Sequence, residues 1–149
     1  MITVKSAQSD HFDVGVTELD SEHQVQVGLV VALQKAVAQD REPAIVGDIL
    51  DQLSNYTNTH FMAEQVLMQL YEYPHYDPHV QEHDCFMVRL RTLQQRYRSE
   101  NLKLTDQTIV SLKNWILAHI QGPDRGLAEY LIKHGIGRQA ARQGSLAVL

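Results

Sequence analysis

Along four stretches of this chain apolar residues recur every three or four positions, and in each stretch histidines or carboxylates occupy places where the repeat calls for an apolar side chain. The period is that of an α-helix with one buried face. From Asp20 to about Ala38 the stripe is Val27, Val30, Leu33 and Val37, with His23 near its start and Asp20 or Ser21 as the expected N-cap. Asp40-Arg41-Glu42-Pro43 ends it, and Pro43 suits the first turn of a second helix, where its missing N–H would be unpaired anyway. That helix runs to about Tyr71 with the inward stripe Ile49, Leu53, Tyr56, His60, Glu64 or Ala63, Leu67 and Tyr71. After the loop Tyr73-Pro74-His75-Tyr76, Asp77 is the expected cap and Pro78 the first-turn residue of a third helix with the stripe His79, His83, Phe86, Leu90, Leu93 and Tyr97. Thr105 caps a fourth, with Ile109, Leu112, Ile116 and His119 inward; Leu127, Tyr130 and Leu131 extend its face to a stop at His134-Gly135.

Short connections favour antiparallel neighbours, so the expected fold is all-α: an up-down-up-down four-helix bundle with an N-terminal arm and a short C-terminal extension over about 135–149. A chain of 149 residues, 44% of them hydrophobic, is enough for one domain, with the bundle over about 12–134. A net charge of −5 and no strongly basic stretch exclude nucleic acid as a partner. The longest apolar run, around Val25 to Val37, is broken by Gln26, Gly28, Gln34 and Lys35, too polar to cross a bilayer. The start, MITVKSAQSD, has no basic patch followed by an apolar run, so no signal peptide is expected. The single cysteine, Cys85, leaves no internal disulfide and no four-thiolate zinc site. A cytoplasmic location is the expectation.

Residues four apart on a helix share a face, so His60 with Glu64, and His79 with His83, are each a two-toothed chelate. His119 and Asp124 are five apart, which on a straight helix of about 100° per residue points them in different directions. Pro123 changes that: it cannot donate to the carbonyl of His119 and clashes with it, which predicts a kink or wide turn that swings Asp124 back toward the histidine. In an antiparallel bundle the early first helix, late second, early third and late fourth meet at one level. Five imidazoles and two carboxylates gathered there cannot be a dry core, since each unpartnered buried polar group costs several kcal/mol. Metal accounts for them. Seven ligands exceed what one transition ion takes from protein, which implies two ions with the carboxylates between them; imidazole plus carboxylate without thiolate suits iron, although zinc, copper and nickel also bind imidazole.

These residues resemble a known family. Leu19-Asp20-Ser21-Glu22-His23-Gln24, His60-Phe61-Met62-Ala63-Glu64, Tyr73-Pro74 with His79-Val80-Gln81-Glu82-His83, and Trp115-Ile116-Leu117-Ala118-His119-Ile120 with Asp124 are similar to the motifs of bacteriohemerythrins and hemerythrin-like domains. The resemblance covers roughly Phe12 to Leu131. It implies a four-helix bundle with two iron ions, one held by His79, His83 and His119, the other by His23 and His60, with Glu64 and Asp124 bridging together with an oxo or hydroxo group. It further implies that dioxygen binds reversibly at the iron with only two histidines, in an apolar pocket that excludes water. By spacing, Trp115 and Ile116 lie one turn before His119, Phe61 flanks His60 and Phe86 lies one turn after His83, so these four are expected to wall the pocket. The chain departs from the family in Gln65, where relatives often carry Glu, in a polar arm near Gln8, and in the stiff Gly122-Pro123 before Asp124.

The function the resemblance implies is oxygen storage, delivery or scavenging without net chemistry. Two alternatives belong to other classes: an oxygen or redox sensor acting on a protein partner through the C-terminal extension, and a di-iron enzyme acting on peroxide, nitrite or nitric oxide. Neither a proton donor nor an electron-delivery motif supports the enzyme. His11, His75 and His134 are expected to be ordinary surface or loop residues, and Cys85 to be inert.

Overall fold

The computed structural model describes residues 12–100 and 102–136. Helices α1 (Thr17–Ala38), α2 (Pro43–Leu70), α3 (Tyr76–Ser99) and α4 (Asp106–His119) form the bundle; a π-helical turn, Ile120–Asp124, then leads into α5 (Arg125–Lys133). No strand occurs among the described residues. The short connections make consecutive helices antiparallel, and α1 packs on both α2 and α4 while α2 packs on α3. The protein is thus an all-α four-helix bundle. The predicted extension beyond Ile136 and the arm before Phe12, His11 included, lie outside the described residues.

The helix ends differ from expectation in two places. Neither Asp20 nor Ser21 caps α1, which begins a turn earlier after Val16. Asp20 reaches back instead: its carboxylate accepts from the backbone N–H groups of Val14 (2.7 Å) and Gly15 (3.2 Å). That ties the arm down, with Phe12, Val14 and Val16 buried, and it uses the left-handed backbone of Gly15 (φ +101°), a conformation that glycine adopts without a Cβ penalty. Helix α3 starts at Tyr76 rather than after Asp77, because the first four N–H groups of any helix are unpaired and Pro78 is tolerated one turn in. Pro43 does stand at the start of α2, and Thr105 does cap α4, accepting from the Thr108 N–H at 3.2 Å.

The inward face of α2 is rotated from the expected one. Leu50, Leu53, Thr57, His60, Glu64 and Met68 are buried along its centre, while Ile49, Tyr56, Leu67 and Tyr71 flank it, half-buried. Toward the far end of the bundle the core is apolar, with Val30, Leu33, Leu50, Leu53, Leu90, Ile109 and Leu112 interlocking. At the other end it is polar.

Candidate metal centre

That polar end is where the seven expected residues meet. His23 comes from α1, His60 and Glu64 from α2, His79 and His83 from α3, His119 from the last residue of α4, and Asp124 from the end of the π-helical turn. All seven are at most 3% exposed. They form two groups in which the ligand atoms lie within 4.8 Å of one another: Glu64, His79, His83, His119 and Asp124 in one, His23, His60, Glu64 and Asp124 in the other. Glu64 and Asp124 belong to both.

The π-helical turn is the wide turn that Pro123 requires. With no proline N–H to bond the His119 carbonyl, one extra residue is accommodated, and residues five apart fall on one side. Asp124 Oδ1 then lies 3.2 Å from His119 Nε2 and 3.0 Å from His79 Nε2, and Oδ2 lies 3.0 Å from His23 Nε2. Glu64 is the counterpart from α2. Its Oε2 is 2.8 Å from His60 Nε2 and its Oε1 is 3.1 Å from His83 Nε2 and 3.2 Å from His79 Nε2.

Proximity here is not everywhere hydrogen bonding: the Glu64 carboxylate accepts from His79 and His23, at 3.2 and 3.4 Å, and other close pairs are not aligned. His60 Nε2 and both Asp124 oxygens are buried without an aligned hydrogen-bond partner, although nitrogen and oxygen atoms crowd around them. The outer nitrogens show why. His60 Nδ1 lies 2.5 Å from Glu22 Oε1 and His119 Nδ1 lies 3.2 Å from Glu82 Oε1, so each Nδ1–H donates outward to a carboxylate. A neutral ring protonated at Nδ1 carries a lone pair on Nε2. His119 Nε2 faces His83 Nε2 at 3.1 Å and His60 Nε2 faces a carboxylate oxygen. The His60 lone pair and the Glu64 carboxylate oxygen, opposed at 2.8 Å, repel unless a cation lies between them. The donor set therefore fits metal, and its imidazole–carboxylate chemistry, free of thiolate, fits iron.

Without metal, protons take the cation's place. Burial pushes the His60 imidazole down, but the Glu64 carboxylate and the hydrogen bond to Glu22 outweigh it and bring it up to about 10. His79, opposed likewise by burial, is raised to about 9 by the adjacent Asp124 and Glu64 carboxylates. His23 is also raised, by Asp124 and Glu64 against burial. His83 is lowered, since burial and the neighbouring His119 and His79 prevail over Glu64. Burial opposes ionisation of Glu64 and Asp124, yet the surrounding imidazoles hold both below the usual carboxylate range.

The four expected wall residues lie around the centre. Trp115 stacks on His119 with ring centroids 4.7 Å apart, Phe86 stacks on Trp115 at 4.1 Å, and Ile116 is buried beneath. Phe61 stacks face to face with the His83 ring at 3.8 Å rather than with its neighbour His60, from which it is tilted at 6.1 Å. Sequence reasoning overlooked Glu22, Glu82 and Gln65 as outer partners, the last with its amide 3.2 Å from His83 Nδ1. The signal was present: Glu22 and Glu82 each immediately precede an inward histidine, on the flank that meets the next helix. His75 is exposed, His134 sits at the end of α5 with Nδ1 2.8 Å from the Tyr130 carbonyl, and Cys85 is exposed. Among the described residues no helix is long and apolar enough to cross a membrane.

Comparison with known proteins finds relatives over most of the chain. Bacteriohemerythrin of Stenotrophomonas maltophilia is 26% identical over 125 residues, covering 84% of this chain and 80% of the relative. Myohemerythrin of Riftia pachyptila is 30% identical over 115 residues, covering 77% and 84%. A crystal structure of wild-type hemerythrin superposes with a TM-score of 0.75 at 24% identity, covering 84% of this chain and 94% of that one, and so shares the fold. The profile of the hemerythrin HHE cation binding domain matches residues 14–131, and the chain belongs to the hemerythrin family.

Proposed function

We propose that the seven residues hold two iron ions, with His79, His83 and His119 on one, His23 and His60 on the other, and Glu64 and Asp124 bridging them together with an oxo or hydroxo group. The bound pair supplies reversible two-electron chemistry toward dioxygen, and the function is oxygen binding for storage, delivery or scavenging rather than catalysis. One observation carries the reading: two groups of ligand atoms share Glu64 and Asp124, the shared carboxylates pointing to bridged ions. The histidines divide three to two, leaving the His23–His60 ion the more open and so the place for a small ligand.

The chain's own residues do the rest. Glu22 and Glu82 fix the tautomers of His60 and His119 and turn their Nε2 atoms inward. Phe61 and Trp115 stack on the His83 and His119 rings, and with Phe86 and Ile116 behind them they form an apolar wall that would keep water from that side of the centre.

The test is iron content per chain, with optical spectra of the ferrous protein before air, after air and after its removal. Two irons with bands that appear and then vanish are the expected outcome. Two irons with an irreversible ferric change would turn the reading toward redox sensing or catalysis, and fewer than two irons after reconstitution would overturn the ligand set.

A further inference from the structure

One helical turn toward the far end from His23 and His60, the core holds another polar pair. Gln26 on α1 and Thr57 on α2 are 2% and 0% exposed, and the Gln26 amide donates to Thr57 Oγ1 at 3.1 Å. Gln26 follows His23 by three residues and Thr57 precedes His60 by three, so the pair lies about one turn along its helices from the two imidazoles, whose ring centroids are 4.8 Å apart. Side chains on a helix lean toward its N-terminus. The N-terminus of α1 is at the metal end, so the Gln26 side chain leans toward His23; Thr57, on the antiparallel α2, leans away and braces it from below.

The pair has no structural need to be polar. Its buried neighbours on the far-end side of α1, Val27 and Val30, are apolar, and a buried amide is stabilising only when its hydrogen bonds are made. A glutamine amide has two N–H donors and a carbonyl, and among the described residues the bond to Thr57 is the one it makes. The second N–H has no other hydrogen-bond partner among the described residues, and Gln26 stands one helical turn from the side of the centre that has two histidines instead of three.

We infer that Gln26, positioned by Thr57, is a hydrogen-bond donor to a small anionic ligand held on the His23–His60 side of the centre. The inference rests on the di-iron reading above and deepens it by naming what the ligand meets beyond the metal. A donor of this kind favours a ligand that carries negative charge once bound, and azide is the stable probe of that preference.

The experiment uses the full chain reconstituted with iron and oxidised, titrated with azide, for the native protein and for Gln26→Met, which keeps the volume and removes the donors. Iron per chain is measured first on each sample. The expected result is two irons in both, azide affinity lower by roughly five- to tenfold in Gln26→Met, as loss of one buried hydrogen bond implies, and an azide stretching band that shifts between H₂O and D₂O in the native protein alone. Thr57→Val, which removes the brace and keeps the donor, should fall between the two. Equal affinity and equal isotope insensitivity in native and Gln26→Met samples that both carry two irons would overturn the inference while leaving the di-iron reading intact. Fewer than two irons in the native protein would instead overturn the reading beneath it. Should Gln26→Met not fold, the isotope shift of the native protein and the Thr57→Val affinity decide the matter.

Discussion

The two ends of this bundle are held together by different physics. At the far end Val30, Leu33, Leu53, Leu90 and Ile109 are fully buried and stabilise by removing apolar surface from water, a gain that needs no partner and no particular geometry. At the metal end His23, His60, Glu64, His79, His83, His119 and Asp124 are equally buried, and their burial is unfavourable until protons or a cation join them. The far end secures the fold, and the metal end takes its stability from what it binds. Loss of metal should therefore loosen one half of the molecule and leave the other.

The sharpest way to break this contrast is Glu64→Ala. Because Glu64 belongs to both ligand groups, its removal should take iron from two per chain to below one by metal analysis, while circular dichroism still reports a helical bundle. A variant that retained two irons would mean that the two groups do not depend on a shared carboxylate. Next comes the far end. Leu53→Ala should lower denaturant stability by about 2–5 kcal/mol, the usual cost of a buried leucine truncation, yet keep two irons per chain; loss of iron would show that the halves are coupled.

A smaller effect is expected from Glu22→Gln, which keeps the shape but replaces the carboxylate that accepts from His60 Nδ1. Iron affinity measured by chelator competition should weaken roughly 10- to 100-fold, and unchanged affinity would make Glu22 a surface residue that happens to lie nearby. The mildest test is pH on the metal-free protein. His60 and His79 have folded pKa values raised to about 10 and about 9, above the ordinary 6.5, so the stability they contribute is full below about 6.5 and is lost as pH rises through 9 to 10. The melting temperature of the metal-free chain should fall between pH 7 and pH 10, and the iron-loaded chain should hold steady over that range. Equal slopes for the two forms would show that protons do not substitute for metal.

The same division sets how much could be read without coordinates. The four helices, the two four-residue chelates and the wide turn before Asp124 were legible because they rest on relations along one helix: a period, a spacing of four, and a proline that removes one donor. Relations between helices left a fainter trace. That Glu22 serves His60 and Glu82 serves His119 depends on which flanks face each other, and the pairing of Gln26 with Thr57 does too. The rotation of α2 was missed for a related reason. Its outer surface carries Met62, Val66 and Leu70, exposed apolar residues that blur the stripe, so the pattern alone did not single out Leu50, Thr57 and Met68 as the centre of the buried face. The starts of α1 and α3 were misplaced because Asp20 and Asp77 look like caps by type; only the backbone shows that one ties down the arm and that the other already lies inside the first turn.

The five residues of the π-helical turn act as a phase shifter between two parts of the chain. One residue more or fewer in a helix rotates everything after it by about 100°. Beyond the turn, Leu127, Ala128 and Leu131 face inward and the Tyr130 hydroxyl donates to the Tyr71 carbonyl at 2.6 Å, locking α5 over the loop that follows α2. Deleting a single residue such as Gly122 would therefore do two things at once, turning Asp124 away from the other ligands and turning the leucines of α5 toward solvent. The carboxylate and the packing of α5 are set by one shared angle.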